Sequence, residues 1–164
     1  MAKDFRELLV EASRHDEFGR VFKEIAVGFK VVVSFQASNV HSSYPEETLD
    51  DIYQYSKWEV SLRQVTPAID VPNVGAWHYL KHNYWAKPFD KPDFQRAMLG
   101  EFIPTKHCQQ ILEDVIEYAL LKKQIDSEDD IRTVEPDEEL KKSSRCGGCG
   151  GKKTAEKPEK AKAE

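Results

Sequence analysis

Two runs of alternating side chains set the limits on what this chain can become. Val31, Val33, Phe35 and Ala37 recur at every second position, as do Trp58, Val60 and Leu62. Side chains two apart lie on one face of a strand, so each run offers an apolar face to a core. β-Branched and aromatic residues dominate both, as strands favour. The intervening positions are Val32, Ser34 and Gln36 in the first run and Glu59, Ser61 and Arg63 in the second. The pattern predicts a strand pair with one face packed and the other partly wet. Residues 39–55 join the two runs and are too long for a tight hairpin. Within them Ser43-Tyr44-Pro45-Glu46 reads as a capping box with proline in the first turn of a short helix, whose buried side would be Leu49, Ile52 and Tyr53.

The flanking patterns extend this to an α+β fold: a small sheet of about three strands packed by an N-terminal helix, or helix pair, and a C-terminal amphipathic helix. Between residues 4 and 27 the apolar positions Phe5, Leu8, Leu9, Ala12, Phe18, Val21, Phe22 and Ile25 fit a helical stripe, with a break near Gly19 and a stop at Gly28. Leu99, Glu101 and Ile103 predict a third strand ending at Pro104, and Thr105 is placed to cap a helix. That helix buries Cys108, Ile111, Leu112, Val115, Ile116, Ala119 and Leu120. The stretch from Thr66 to Arg96 holds Pro67, Pro72, Pro88 and Pro92, so any regular element there is short.

A chain of 164 residues suits one such domain, over residues 1–125, followed by a tail. Charge is segregated in that tail: residues 126–139 hold eight acidic residues and one arginine, and residues 140–164 hold eight basic and three acidic residues. Low hydrophobicity with Gly and Lys predicts disorder there. The net charge of −5 gives no support to specific nucleic-acid binding. No apolar run approaches the about 20 residues that cross a bilayer, and three cysteines make no disulfide framework, so a cytoplasmic protein is expected. A sheet this small favours self-association through its edge, hence a homo-oligomer.

Residues 76–89, AWHYLKHNYWAKPF, interleave five aromatic rings with His78, Lys81, His82 and Lys87. Such a loop suits ring stacking beside a neutralised phosphate, and equally a protein interface or the folding of a long loop onto the sheet. The favoured expectation is a non-catalytic binding protein for a nucleotide-like or phosphate-bearing aromatic ligand. Gln36, His41, Ser42, Glu59, Ser61 and Arg63 would contact it on the wet sheet face, under a lid carrying Trp77, His78, Lys81 and Trp85. A protein-interaction adaptor using the aromatic loop and the tail is one alternative. The other is a metal-assisted hydrolase holding its ion on His41, His78 and His82, with Glu59 as base and Asp70 as a further ligand candidate. Cys146 and Cys149 in the tail have the spacing of half a zinc site, which a partner or second chain would complete.

Overall fold

The structure, a computed structural model, describes residues 3–28, 31–64, 69, 75–90 and 97–136. It is a mixed helix and sheet fold. A five-stranded antiparallel sheet is built from β3 (Glu24–Val27), β4 (Val31–Gln36), β5 (Lys57–Gln64), β6 (Ala97–Pro104) and β7 (Ile131–Val134). The strand order is β6-β5-β4-β3-β7, so the first alternating run is the central strand and the second lies beside it. A separate hairpin pairs β1 (Glu11–His15) with β2 (Gly19–Phe22). The helices are α1 (Ala76–Leu80) and α2 (Thr105–Leu121).

Register assigns the two faces. Ile25, Val33, Leu62 and Met98 are opposite one another across four strands and enter the main core, as do Val27, Val31, Phe35 and Val60. The α2 side chains Cys108, Ile111, Leu112, Val115, Ile116 and Ala119 belong to that same core. Each such fully buried aliphatic side chain contributes about 1.5–3 kcal/mol. The next row, Ala26, Val32, Arg63 and Ala97, points the other way. Ala26 and Val32 join Val134 there in a second, small apolar cluster.

Four expectations are corrected. The sheet has five strands, not three. The helical stripe over residues 4–27 is instead a 3-10 turn (Phe5–Leu8) followed by β1, β2 and β3. Its apolar positions fit both periods in places, and the turn decides between them. His15 pairs with Gly19 across a three-residue loop, and Gly19 has φ 78. A Cβ there would lie 2.6 Å from Ser38 Oγ, so glycine is needed on two counts. The short helix expected after Ser43 is absent among the described residues. A 3-10 turn forms later, at Ile52–Gln54, and Asp51 caps it. Ser43 is buried instead, its hydroxyl donating to the Ser38 and Pro45 carbonyls at 3.3 Å. Finally, β7 carries the fold beyond residue 125. The tail from residue 137, with Cys146 and Cys149, lies outside the described residues, as does Asp70.

Arg20 joins the hairpin to the rest. Its guanidinium, 1% exposed, donates to the carbonyls of Ala37 and Leu49 at 2.6 Å each and to the Tyr55 hydroxyl at 3.2 Å. The Tyr55 oxygen accepts from Leu49 N at 2.7 Å and its proton goes to Glu47 O. Both ends of the segment 37–49 are thereby tied to β2 and to the start of β5.

On the core face, Gly100 of β6 is opposite Val60, and a Cβ there would lie 2.7 Å from Phe89 Cζ and 2.9 Å from Ile103 Cδ1. Gly100→Ala is expected to lower unfolding stability by about 1–3 kcal/mol through overpacking. Denaturant titration of both proteins checks this, and an unchanged midpoint would contradict the packing described.

Candidate functional site

At the end of the sheet where β4 leaves and β5 enters, segment 37–45 folds over the face that bears Glu59. β6 departs from regular pairing at the same place. Trp58 is opposite Ile103 and Val60 opposite Gly100, so Glu101 and Phe102 together face Glu59 in a bulge. Phe102 has φ 54, a region bulky residues rarely occupy, because its N–H leaves the ladder and donates to Ser42 O at 3.0 Å. Ser42 thus becomes a junction. Its N–H donates to Glu59 Oε1 at 3.0 Å and its hydroxyl to Glu101 Oε2 at 3.3 Å. Beside Glu101, Phe102 is 42% exposed, and Val40 and Tyr44 are exposed elsewhere along segment 37–45.

His41 is the titratable group of this junction. Val40 N donates to Ser38 Oγ, and that hydroxyl lies 2.7 Å from His41 Nδ1. With Ser38 donating, the proton of the neutral ring sits on Nε2. Burial pushes the imidazole below its ordinary value of 6.5; the Glu59 carboxylate acts upward and Arg20 acts downward. Ser38 is fully buried and Ser42 donates to Glu101, so neither serine is presented as a nucleophile with His41 as base.

Of the residues expected to form a site, Gln36, His41, Ser42, Glu59, Ser61 and Arg63 do share one face. Gln36 is opposite Glu59, and Ser34 opposite Ser61. The wetness expected for that face is confined to His41, Ser42, Glu59 and Ser61, which are half-buried. Gln36 is buried with its amide exchanging two bonds with the Phe22 backbone, each 2.9 Å. Arg63 is buried in an ion pair with Glu24.

The aromatic loop is on the other side of the sheet. Trp77 and Trp85 are 5% and 1% exposed, in contact with each other and with Phe89, which fits over Gly100 on the core face. Trp85 Nε1 donates to Asp114 Oδ2 of α2 at 2.7 Å. The two tryptophans are therefore core anchors, and they cannot close over the Glu59 face. His78, Lys81 and His82 remain exposed, on the outside of that packed loop. Among the described residues no three His, Cys, Asp or Glu side chains are grouped as a metal ion would require, so His41, His78 and His82 with Glu59 make no ligand set. Cys108 is a free, buried thiol whose pKa burial pushes well up.

Glu101 and Phe102 were missed by periodicity. The signal was present: a strict strand would have put Glu101 in line with Leu99 and Ile103, and a carboxylate in an apolar row marks a change of phase. No protein-family model matches the chain, and neither the curated proteins nor the solved structures contain a significant match.

In the unfolded chain His41 takes up a proton near pH 6.5, and in the folded chain only at lower pH. Between those values the unfolded state binds the extra proton, so stability present above about pH 6.5 is lost as pH falls. His41→Gln is expected to narrow the difference in melting temperature between about pH 7.5 and about pH 5.5. An equal difference in both proteins would show that His41 is not held neutral by the fold.

Proposed function

We propose that the chain is a non-catalytic binding protein whose partner presents a cationic hydrogen-bond donor, an ammonium or guanidinium group, to the Ser42 junction. The observation that carries this reading is the gathering of Glu59 and Glu101 on the two donors of Ser42, beside the exposed Phe102 of the bulge. Carboxylates beside exposed rings attract a basic side chain with an apolar stem, through charge-assisted hydrogen bonds and cation–π contact. A protein segment fits that chemistry, which brings the reading close to an interaction adaptor. The nucleotide-like ligand inferred from residue types has less support. Arg63 is committed to Glu24, and Lys81 lies across the sheet, so neither faces this junction.

Self-association remains part of the proposal, since β6 and β7 are the edge strands of the sheet and an edge is a natural pairing surface. A reducing, cytoplasmic setting agrees with the free Cys108. Among the described residues no helix is long and apolar enough to cross a membrane.

The test is a two-dimensional amide NMR titration of the full chain with N-acetyl-arginine amide, and separately with adenosine monophosphate. The arginine probe is expected to shift the Ser42 and Phe102 amides. In the Glu59→Gln, Glu101→Gln double variant its affinity should fall about tenfold or more, the effect of losing a hydrogen bond to a charged group. Shifts at these amides with the nucleotide alone would replace this reading with an anion site.

A further inference from the structure

With its tryptophans buried, the aromatic loop still presents an outer side to solvent. α1 rests on α2 through Tyr79 against Tyr118, ring centroids 5.3 Å apart. The loop after it is held by the Trp85 bond to Asp114 and by Tyr84 against His107 at 5.0 Å. Ala76, Trp77 and Leu80 are the buried side of α1. His78, Lys81 and His82 are exposed at helical spacing on its other side, and Lys87 and Lys106 are exposed as well. Tyr84 is 66% exposed and Tyr79 38%. Residues 78–87 contain no carboxylate, and neither does the first turn of α2, which carries Lys106 and His107.

Three properties of this strip narrow the partner it fits. First, its cations are unpaired. The ammonium groups of Lys81, Lys87 and Lys106 make no ion pair or hydrogen bond with the described residues, whereas Arg6, Arg14 and Arg63 are paired with Asp4, Glu11 and Glu24. Second, lysine is depleted at the centre of protein interfaces, where arginine is preferred, while lysines beside exposed rings are what holds the phosphates and bases of an unpaired strand. A duplex would hide its base faces from those rings. Third, the strip is long. His107 and Tyr118, the contacts of Tyr84 and Tyr79, are eleven residues apart on α2, about 16 Å along its axis. At about 3.4 Å per nucleotide that is the length of about five stacked nucleotides, more than a mononucleotide bridges.

We propose that this strip binds single-stranded nucleic acid without sequence preference, bases stacking on Tyr84 and Tyr79 and phosphates meeting Lys81, Lys87 and Lys106. It lies across the sheet from the Ser42 junction and is independent of what that junction binds. The net charge of −5 opposes a polyanion, so the contact is local and its affinity is that of non-specific binding, about 1–100 μM at physiological salt. Three phosphate contacts give a plot of log affinity against log salt concentration a slope of about −2.

The experiment is fluorescence anisotropy of a labelled oligothymidylate of about twelve nucleotides with the full chain over a range of salt, joined to an amide NMR titration that locates the contact. Saturable binding is expected, with that salt slope and with shifts centred on residues 78–87 and 106–107. Tyr84→Ala should weaken binding about fivefold or more, the effect of losing one stacked base. Lys81→Gln with Lys87→Gln should reduce the salt slope to less than about half. All three side chains are exposed, so amide spectra unchanged elsewhere verify that the variants fold. No shift at these residues, wild-type affinity in Tyr84→Ala, or equal affinity for a duplex of the same phosphate count would each overturn the proposal. Tighter binding of polyglutamate than of the oligonucleotide would overturn it too, and would assign the strip to an acidic protein segment.

Discussion

The arrangement of this protein depends on a guanidinium taken out of water. An unsatisfied buried charge is untenable, so Arg20 can be buried only where the chain brings acceptors to it. The acceptors are the carbonyls of Ala37 and Leu49, with Tyr55 beneath, and the Phe22 ring lies 4.5 Å from the guanidinium carbon. Because those two carbonyls are the ends of the segment that carries His41, Ser42 and Tyr44, the bonds from the two terminal nitrogens of Arg20 also fix that segment over β5, while its buried Nε has no partner among the described residues. The bulge in β6 follows from the same placement. Once Ser42 O lies above the sheet, the Phe102 N–H turns to meet it, and Glu101 is brought to the Ser42 hydroxyl.

The sheet separates two kinds of chemistry. On the α2 side everything between Trp77 and Phe89 that is large and aromatic is used for packing, apart from Tyr79 and Tyr84, and Asp114 holds Trp85 by its indole N–H. On the opposite side polar groups alternate with small apolar ones, and most of them are bonded internally. Among the described residues of that side, the Ser42 end brings two carboxylates, a half-buried imidazole and the exposed Phe102 to one place. The reading proposed for the sheet face therefore rests on this end of the sheet and not on the most conspicuous stretch of the sequence.

Period-two alternation was enough to find β4 and β5, and period 3.6 was enough to find α2, because each has one continuous buried face; β6 was found although its bulge puts Leu99, opposite Ser61, and Ile103, opposite Trp58, on different faces. The N-terminal region was misread because Phe18, Val21, Phe22 and Ile25 satisfy a helical stripe, while the turn at Asp16–Gly19 depends on one glycine. β7 was hidden by its acidic neighbours, although Ile131, Thr133 and Val134 are β-branched and Ser127 with Asp130 forms a capping box just before them. His41, Ser42 and Glu59 were legible as one surface because strand register puts them there. Their company was not. Glu101 arrives through a bulge, and the separation of Trp77 and Trp85 from Arg63 depends on which face a loop packs against, which no local pattern encodes.

The central claim is that Arg20 holds segment 37–49, and amide hydrogen exchange in Arg20→Lys tests it most directly. Lysine keeps the charge but lacks the planar fork that reaches two carbonyls and a hydroxyl. The account expects the amides of His41, Ser43 and Leu49 to exchange at least about tenfold faster while β4 and β5 keep their protection, as local opening requires. Unchanged exchange in the segment, or a uniform loss of protection across the sheet, would contradict it.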